Sequence, residues 1–228
     1  MHTFGAVSAV VFDFDGTLAH LTIDFGRMRR DVLALLPAHG LEPAEFERLY
    51  VLELIEAAGR RLGAAGADAE AFLAAARAAI ERVEIEAAAA GGLLPGAAAA
   101  LETLDRRGYR LGIVTRNCAA AVSAVLEGPA GGRLPHRVLL TRDDVPRVKP
   151  DPAHLEAALA ALGVPASEAV MVGDHPMDVE AGHRVGMRTV GVLTGRSPRA
   201  AFEAVRADLV VDDVTCLPDV LPDRAGRN

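Results

Sequence analysis

At 228 residues with a formal net charge of −7, the chain lacks the basic footprint that nucleic acids and anionic membrane surfaces require. Just over half of it is hydrophobic, enough to bury one good-sized domain or a core carrying an inserted subdomain, yet no run approaches the roughly 18 apolar residues of a membrane span. Two cysteines, Cys118 and Cys216, are too few for a disulfide framework or a thiolate metal centre, and no basic-then-apolar segment opens the chain, so a soluble, cytoplasmic protein is expected.

The first predicted element is a buried strand, the apolar run Val7 to Phe12. It runs straight into Asp13-Phe14-Asp15-Gly16-Thr17-Leu18, although isolated buried charge is costly. Residues two apart on a strand share a face, so Asp13 and Asp15 project together where the strand ends, and Gly16 lets the chain turn. Two carboxylates converging there point to a divalent cation, a nucleophile with an acid/base, or both. A simple Asx turn accounts for Asp15-Gly16 and leaves Asp13 unexplained.

Residues 21–92 read as three helices, about 25–37, 44–62 and 68–90, started by Pro43 and Asp68 and broken at Gly40, Gly63 and Gly91-Gly92. From Leu94-Pro95-Gly96 onward, helices and strands alternate. A helix near 96–107 precedes a strand over Arg110 to Thr115. A helix at 118–126 and a Gly/Pro-rich loop lead to a short strand over Arg137 to Thr141. Asp151-Pro152 opens a helix that ends at Gly163, with Asp as N-cap and Pro at the first position. Then come a strand over Ala169 to Val172, a helix near 177–186, strands near 188–193 and 208–212, and a polar tail.

This alternation predicts an α/β fold, a doubly wound parallel sheet with helices on both faces. Residues 1–20 and 93–228 form the core, and 21–92 form an all-helical insertion. It is rooted at the carboxyl edge of the sheet, where open α/β sheets bind ligands, and is placed to act as a lid. The same edge collects Asp13 and Asp15 from the first strand and Thr115-Arg116-Asn117 from the second. Lys149 follows the third, and Gly173-Asp174 with Asp178 follow the fourth. Lys149 is the only lysine; the other 23 basic residues are arginine. A lysine that survives such drift marks a place suited to a compact ammonium rather than a planar fork.

With these four groups in this order, the chain resembles the haloacid dehalogenase superfamily, and within it the phosphoglycolate phosphatase-like branch. The resemblance implies a Rossmann-like core with the insertion as a helical cap, and a Mg²⁺-dependent phosphatase acting on a small phosphorylated metabolite, phosphoglycolate being the first candidate. It implies that Asp13 is the nucleophile and forms an aspartyl-phosphate, while Asp15 serves as acid and then base. Mg²⁺ would be held by the Asp13 side chain, the Asp15 carbonyl and Asp174, with Asp178 in direct or indirect support. Thr115, Arg116, Asn117 and Lys149 would bind the phosphoryl group, Lys149 also stabilising Asp13.

Two departures from the family pattern stand out, the first bearing on substrate rather than chemistry. Ala19-His20-Leu21-Thr22-Ile23-Asp24-Phe25 replaces the usual Val-Asp-Ser-like segment, and Arg116 interrupts the usual Thr-Asn pair. Arg116 either grips a second anionic group or caps the following helix. His39, His136 and His154 read as surface residues, His20 as a structural histidine, and His175 and His183 as too far apart to share a metal. Asp143-Asp144 and Arg29-Arg30 read as solvated charge. A phosphotransferase or sugar phosphomutase on the same scaffold, or a non-catalytic binding protein, stay open as alternatives. So does the choice between monomer and homodimer.

Overall fold

A computed structural model describes Phe4 and residues 7–224. In chain order the elements are β1 (Ala9–Phe12), β2 (Ala19–His20), α1 (Phe25–Leu33), α2 (Val51–Ala64), α3 (Ala69–Ala89), β3 (Gly92–Leu93), α4 (Ala97–Arg106), β4 (Arg110–Val114) and α5 (Ala119–Glu127). They continue with β5 (Val138–Leu140), α6 (Pro152–Leu162), β6 (Ala169–Gly173), α7 (Pro176–Val185), β7 (Arg188–Val192), α8 (Arg199–Ala204), β8 (Leu209–Val211) and α9 (Leu217–Val220). Thr22–Ala90 forms one compact unit, and the segments up to Leu21 and from Gly91 form the other.

In the larger unit a six-stranded sheet runs β5-β4-β1-β6-β7-β8, with every ladder parallel. Central strands covered on both faces have no polar side to alternate, which is why Ala9–Phe12 and Ala169–Gly173 are buried at every position. Helices α6 and α7 pack together over β4 and β6, where Leu155, Met171 and Ala181 share a core with Val11 and Val114. The chain steps outward through β4 and β5 on one side of β1, then through β6, β7 and β8 on the other. The order therefore reverses at β1, the place where such sheets form a ligand crevice. Register levels the strand ends, since Phe12 stands opposite both Ile113 and Val172.

The smaller unit is helical and packs α1 and α2 against α3. Its apolar faces supply Met28 and Val32, Leu54 and Ile55, and Phe72 and Ile80, all buried. Asp24 and Asp68 cap α1 and α3, accepting from Arg27 and from Glu70 and Ala71 main-chain N–H groups. The predicted 44–62 helix is shorter than expected. Pro43–Phe46 is a 3₁₀ turn, and α2 begins only at Val51. The Arg29 guanidinium donates to the carbonyls of Phe46 and Leu49, so those acceptors serve a side chain and not a continuing helix. Arg29 is thus a structural tie, contrary to its reading as solvated charge.

Three further features escape the sequence pattern. β2 and β3 form an antiparallel ribbon of two residues each, too short to show a periodicity. Helix α8 was not expected between the last two strands. The polar tail instead carries a 3₁₀ turn at Val214–Cys216 and helix α9. Val214, Leu217 and Leu221 are buried there, and Tyr109 Oη donates to the Pro222 carbonyl at 2.8 Å. Among the described residues no helix is long and apolar enough to cross a membrane.

Leu155 lies fully buried where α6 meets the sheet. Leu155→Ala is therefore expected to cost about 2–5 kcal/mol of unfolding free energy, the usual range for a truncated core leucine. Urea unfolding followed by circular dichroism measures it, and a loss below about 1 kcal/mol would contradict the packing described.

Candidate active site

β1 ends by handing its direction to a tight turn. The Asp13 N–H donates to the Val172 carbonyl at 2.8 Å, and the Phe14 carbonyl accepts from Leu18 and Ala19, both at 2.9 Å. Gly16 has φ +81°, a left-handed conformation that glycine adopts at no steric cost. Its N–H donates to Ala19 at 2.7 Å. The Asp15 carboxylate closes the turn by accepting from Leu21 N–H at 2.9 Å. Asp13 is left on the side of the sheet edge where α6 and α7 begin.

Helix α6 delivers the ammonium. Asp151 caps it, accepting from Ala153 N–H at 2.9 Å, and Lys149 lies just before the cap. Its Nζ donates to Asp13 Oδ1 at 2.6 Å and to Asp178 Oδ1 at 2.7 Å, with only 1% of the residue exposed. Burial alone would lower the Lys149 pKa, but Asp13 and Asp178 outweigh it and hold the ammonium above its ordinary value. Asp178 is fixed by a reciprocal cap on α7, in which it accepts from His175 N–H at 3.2 Å while His175 Nδ1 accepts from Met177 N–H at 3.1 Å.

Carboxylates outnumber this cation. Asp13, Asp174 and Asp178 offer oxygens that all lie within 4.8 Å of one another. Burial pushes Asp13 up to about 6, opposed by Lys149 and reinforced by Asp178. Burial and then the charges of Asp13, Asp178 and Asp15 push Asp174 up to about 8. Thr17 Oγ1 donates to Asp174 Oδ1 at 3.5 Å. A close set of hard oxygen donors, one of them crowded by like charge and without a cation of its own among the described residues, fits a hard divalent cation such as Mg²⁺. Asp15 contributes charge to this group, but its carboxylate is engaged with Leu21 rather than placed among the three.

The predicted anion-binding residues stand on the neighbouring strand end. Thr115 is buried, its N–H paired to Leu140 O at 2.9 Å, and its Oγ1 accepts from Asn117 N–H at 3.2 Å. Asn117 is also buried, and its Nδ2 has no hydrogen-bond partner among the described residues; a buried donor left unpaired is costly unless a ligand satisfies it. Arg116 Nη1 reaches Met177 Sδ at 2.6 Å.

Some expectations are corrected. His154 is not on the surface: it is fully buried, with Nε2 3.2 Å from Leu140 O and Nδ1 without a partner among the described residues. Burial first and the Lys149 charge second lower it to about 4, so it is neutral. Sequence missed it because α6 turns that position inward. Asp143 and Asp144 are not merely solvated. Asp143 accepts from Ala119 N–H at 2.8 Å, at the start of α5. Asp144 accepts from the hydroxyl and N–H of Thr141 at 2.6 and 2.8 Å, which hold its carboxyl below the usual range. Also missed were Thr194 and Gly195 beyond β7. A Cβ on Gly195 would stand 1.8 Å from Asp174 Oδ2, a contact whose only trace in sequence is a glycine after a strand.

A sequence profile of the haloacid dehalogenase-like hydrolases matches residues 7–186. The chain is 36% identical over 220 residues to a phosphoglycolate phosphatase of Rhodospirillum rubrum, covering 93% of this chain and 90% of that one. It is 30% identical over 224 residues to the N-acetylmuramic acid 6-phosphate phosphatase of Pseudomonas aeruginosa, covering 96% of each. The crystal structure of a hydrolase from Pseudomonas syringae superposes with a TM-score of 0.63 at 24% identity, covering 94% of this chain and all of that one; at that identity the likeness is one of fold.

The carboxylate crowding has a pH signature. A folded carboxyl raised above its unfolded value binds its proton more tightly when folded, so stability falls as pH rises toward the folded value. For Asp174 that window runs from the ordinary value of 3.8 to about 8. His154 acts oppositely, but its penalty is gone above the unfolded histidine value near 6.5. The melting temperature in EDTA should therefore fall between about pH 6.5 and 8, and Mg²⁺ should flatten the decline. A melting temperature in EDTA that is level or rising across that window would contradict the crowding.

Proposed function

The chain belongs to the haloacid dehalogenase-like hydrolases, in the branch that resembles phosphoglycolate phosphatase, and we propose that it is a phosphatase cleaving a small phosphate monoester through a phosphoryl group carried on Asp13. The observation that carries this reading is the buried Lys149 ammonium, 2.6 Å from Asp13 Oδ1, beside a group of three carboxylates.

An anionic carboxylate attacking an anionic phosphate must first overcome repulsion. Lys149 offsets part of it by staying charged and in contact with Asp13. Thr115, Asn117 and Arg116 supply hydroxyl, amide and guanidinium donors for the phosphoryl oxygens. An Asp13 oxygen then forms a bond to phosphorus as the ester P–O bond breaks. Asp15, oriented through Leu21 N–H, gives its proton to the departing oxygen. It next takes a proton from the water that attacks phosphorus, which releases phosphate and returns Asp13 to its carboxylate form. Asp13, Asp174 and the Asp15 carbonyl would hold Mg²⁺, with Asp178 in support. When bound, the ion supplies the remaining positive charge that the carboxylates and phosphate require.

Phosphoglycolate is the first candidate substrate, on the strength of the Rhodospirillum rubrum relative. N-acetylmuramic acid 6-phosphate, named for the second relative, belongs in the same panel. Phosphate release from a panel of small esters should require Mg²⁺, cease in EDTA and vanish in Asp13→Asn. Asp15→Asn should lower kcat about 10²–10⁴-fold, the usual worth of a general acid. No release from any ester by a folded, Mg²⁺-bound protein would overturn the reading.

Lys149 allows a sharper test. A guanidinium fork is wider than the ammonium that now touches two carboxylates from a buried position. Lys149→Arg is expected to lower kcat about 10²-fold, like the loss of one charge-stabilising donor, despite keeping the charge. Activity within about threefold of the parent would show that charge alone suffices there.

A further inference from the structure

Asp174 is closely approached by glycine residues and one hydroxyl rather than by a cation. Lys149 reaches Asp13 and Asp178, whereas Asp174 receives Thr17 Oγ1 at 3.5 Å. Two residues without side chains close on its carboxylate from different strands. A Cβ on Gly16 would lie 2.4 Å from Oδ2, and a Cβ on Gly195 would lie 1.8 Å from Oδ2 and 2.6 Å from Cγ. Gly195 lies three residues beyond β7, the strand paired with β6, which leads into Asp174. The Thr194 hydroxyl donates to the Gly16 carbonyl and so ties the β7 loop to the turn that follows β1.

We propose that Thr194 and Gly195 are positioning residues for the cation site: the loop after β7 walls in the Asp174 carboxylate and keeps it facing Asp13 and Asp178. Unconstrained, three neighbouring carboxylates would turn apart, and the ion would have to gather them on binding. With the wall in place, one ligand is already set before the ion arrives. Gly195 lies outside the left-handed region, where L side chains are strained, and it is only half-buried. Alanine there is therefore opposed by Asp174 and not by the backbone conformation of residue 195: the added Cβ would meet the Asp174 carboxylate and also its Cβ, at 2.7 Å, so Asp174 as a whole would have to shift. The inference rests on the reading that these carboxylates hold a divalent cation.

Titration of the intact protein with Mg²⁺ alone, by calorimetry and by thermal shift, tests it without any substrate. Gly195→Ala should bind Mg²⁺ about 10–100-fold more weakly, the range for groups that orient metal ligands. Thr194→Val should weaken binding in the same direction, and Thr194→Ser should restore it. Parent-like Mg²⁺ affinity in Gly195→Ala would overturn the inference and leave the phosphatase reading standing. A parent protein that binds no Mg²⁺ would instead remove the metal reading itself. If Gly195→Ala does not fold, Thr194→Val decides, and unchanged affinity there overturns the proposal.

Discussion

A carboxylate that is to meet a phosphate must lie in the interior, in the company of other carboxylates, and still be an anion. Lys149 is how the chain meets that constraint: one buried ammonium shared between Asp13 and Asp178. Pairing of this kind carries a large desolvation cost and is weak evidence for stability. Its value is positional, because it holds one oxygen of Asp13 at a fixed place and keeps the pair charged. The rest of the unit serves to bring these groups together. The parallel sheet levels the ends of β1, β4 and β6, and two capped helices set Lys149 and Asp178 above the first of them.

The excess of negative charge is as informative as the pairing. Neutral His154, buried behind the sheet edge, adds no cation, and its proximity to Lys149 helps keep it uncharged. Arg116 and Arg142 bring positive charge to the strand ends β4 and β5, where Arg142 Nη1 donates to the Arg116 carbonyl at 3.0 Å. The positive side of the site is thus divided between a compact ammonium at Asp13 and guanidinium groups at the neighbouring strand ends, a division that matches the different shapes of the two ions.

Much of this was legible in the sequence because it follows from short-range rules. An apolar run that breaks into Asp-Phe-Asp-Gly could be placed at a strand end from periodicity alone. Asp151-Pro152 announced a helix start, which the Asp151 cap and Gly163 stop bear out. Lys149 drew attention as the one lysine among arginines. What was not legible depends on partners distant in the chain. Arg29 shortens a helix by taking carbonyls twenty residues on. His154 is buried because of which face of α6 meets the sheet. Asp143 looks like ordinary charge until Ala119 arrives beside it. Gly195 and Thr194 carry no pattern of their own, and their role comes from the adjacency of β7 and β6, which no local rule supplies.

The stereochemical course at phosphorus tests the account most directly. A phosphorothioate ester made chiral with oxygen isotopes would be turned over in isotopically labelled water and the configuration of the product read. Two successive in-line displacements, by Asp13 and then by water, predict overall retention. Inversion would mean a single attack by water and would contradict Asp13 as the nucleophile.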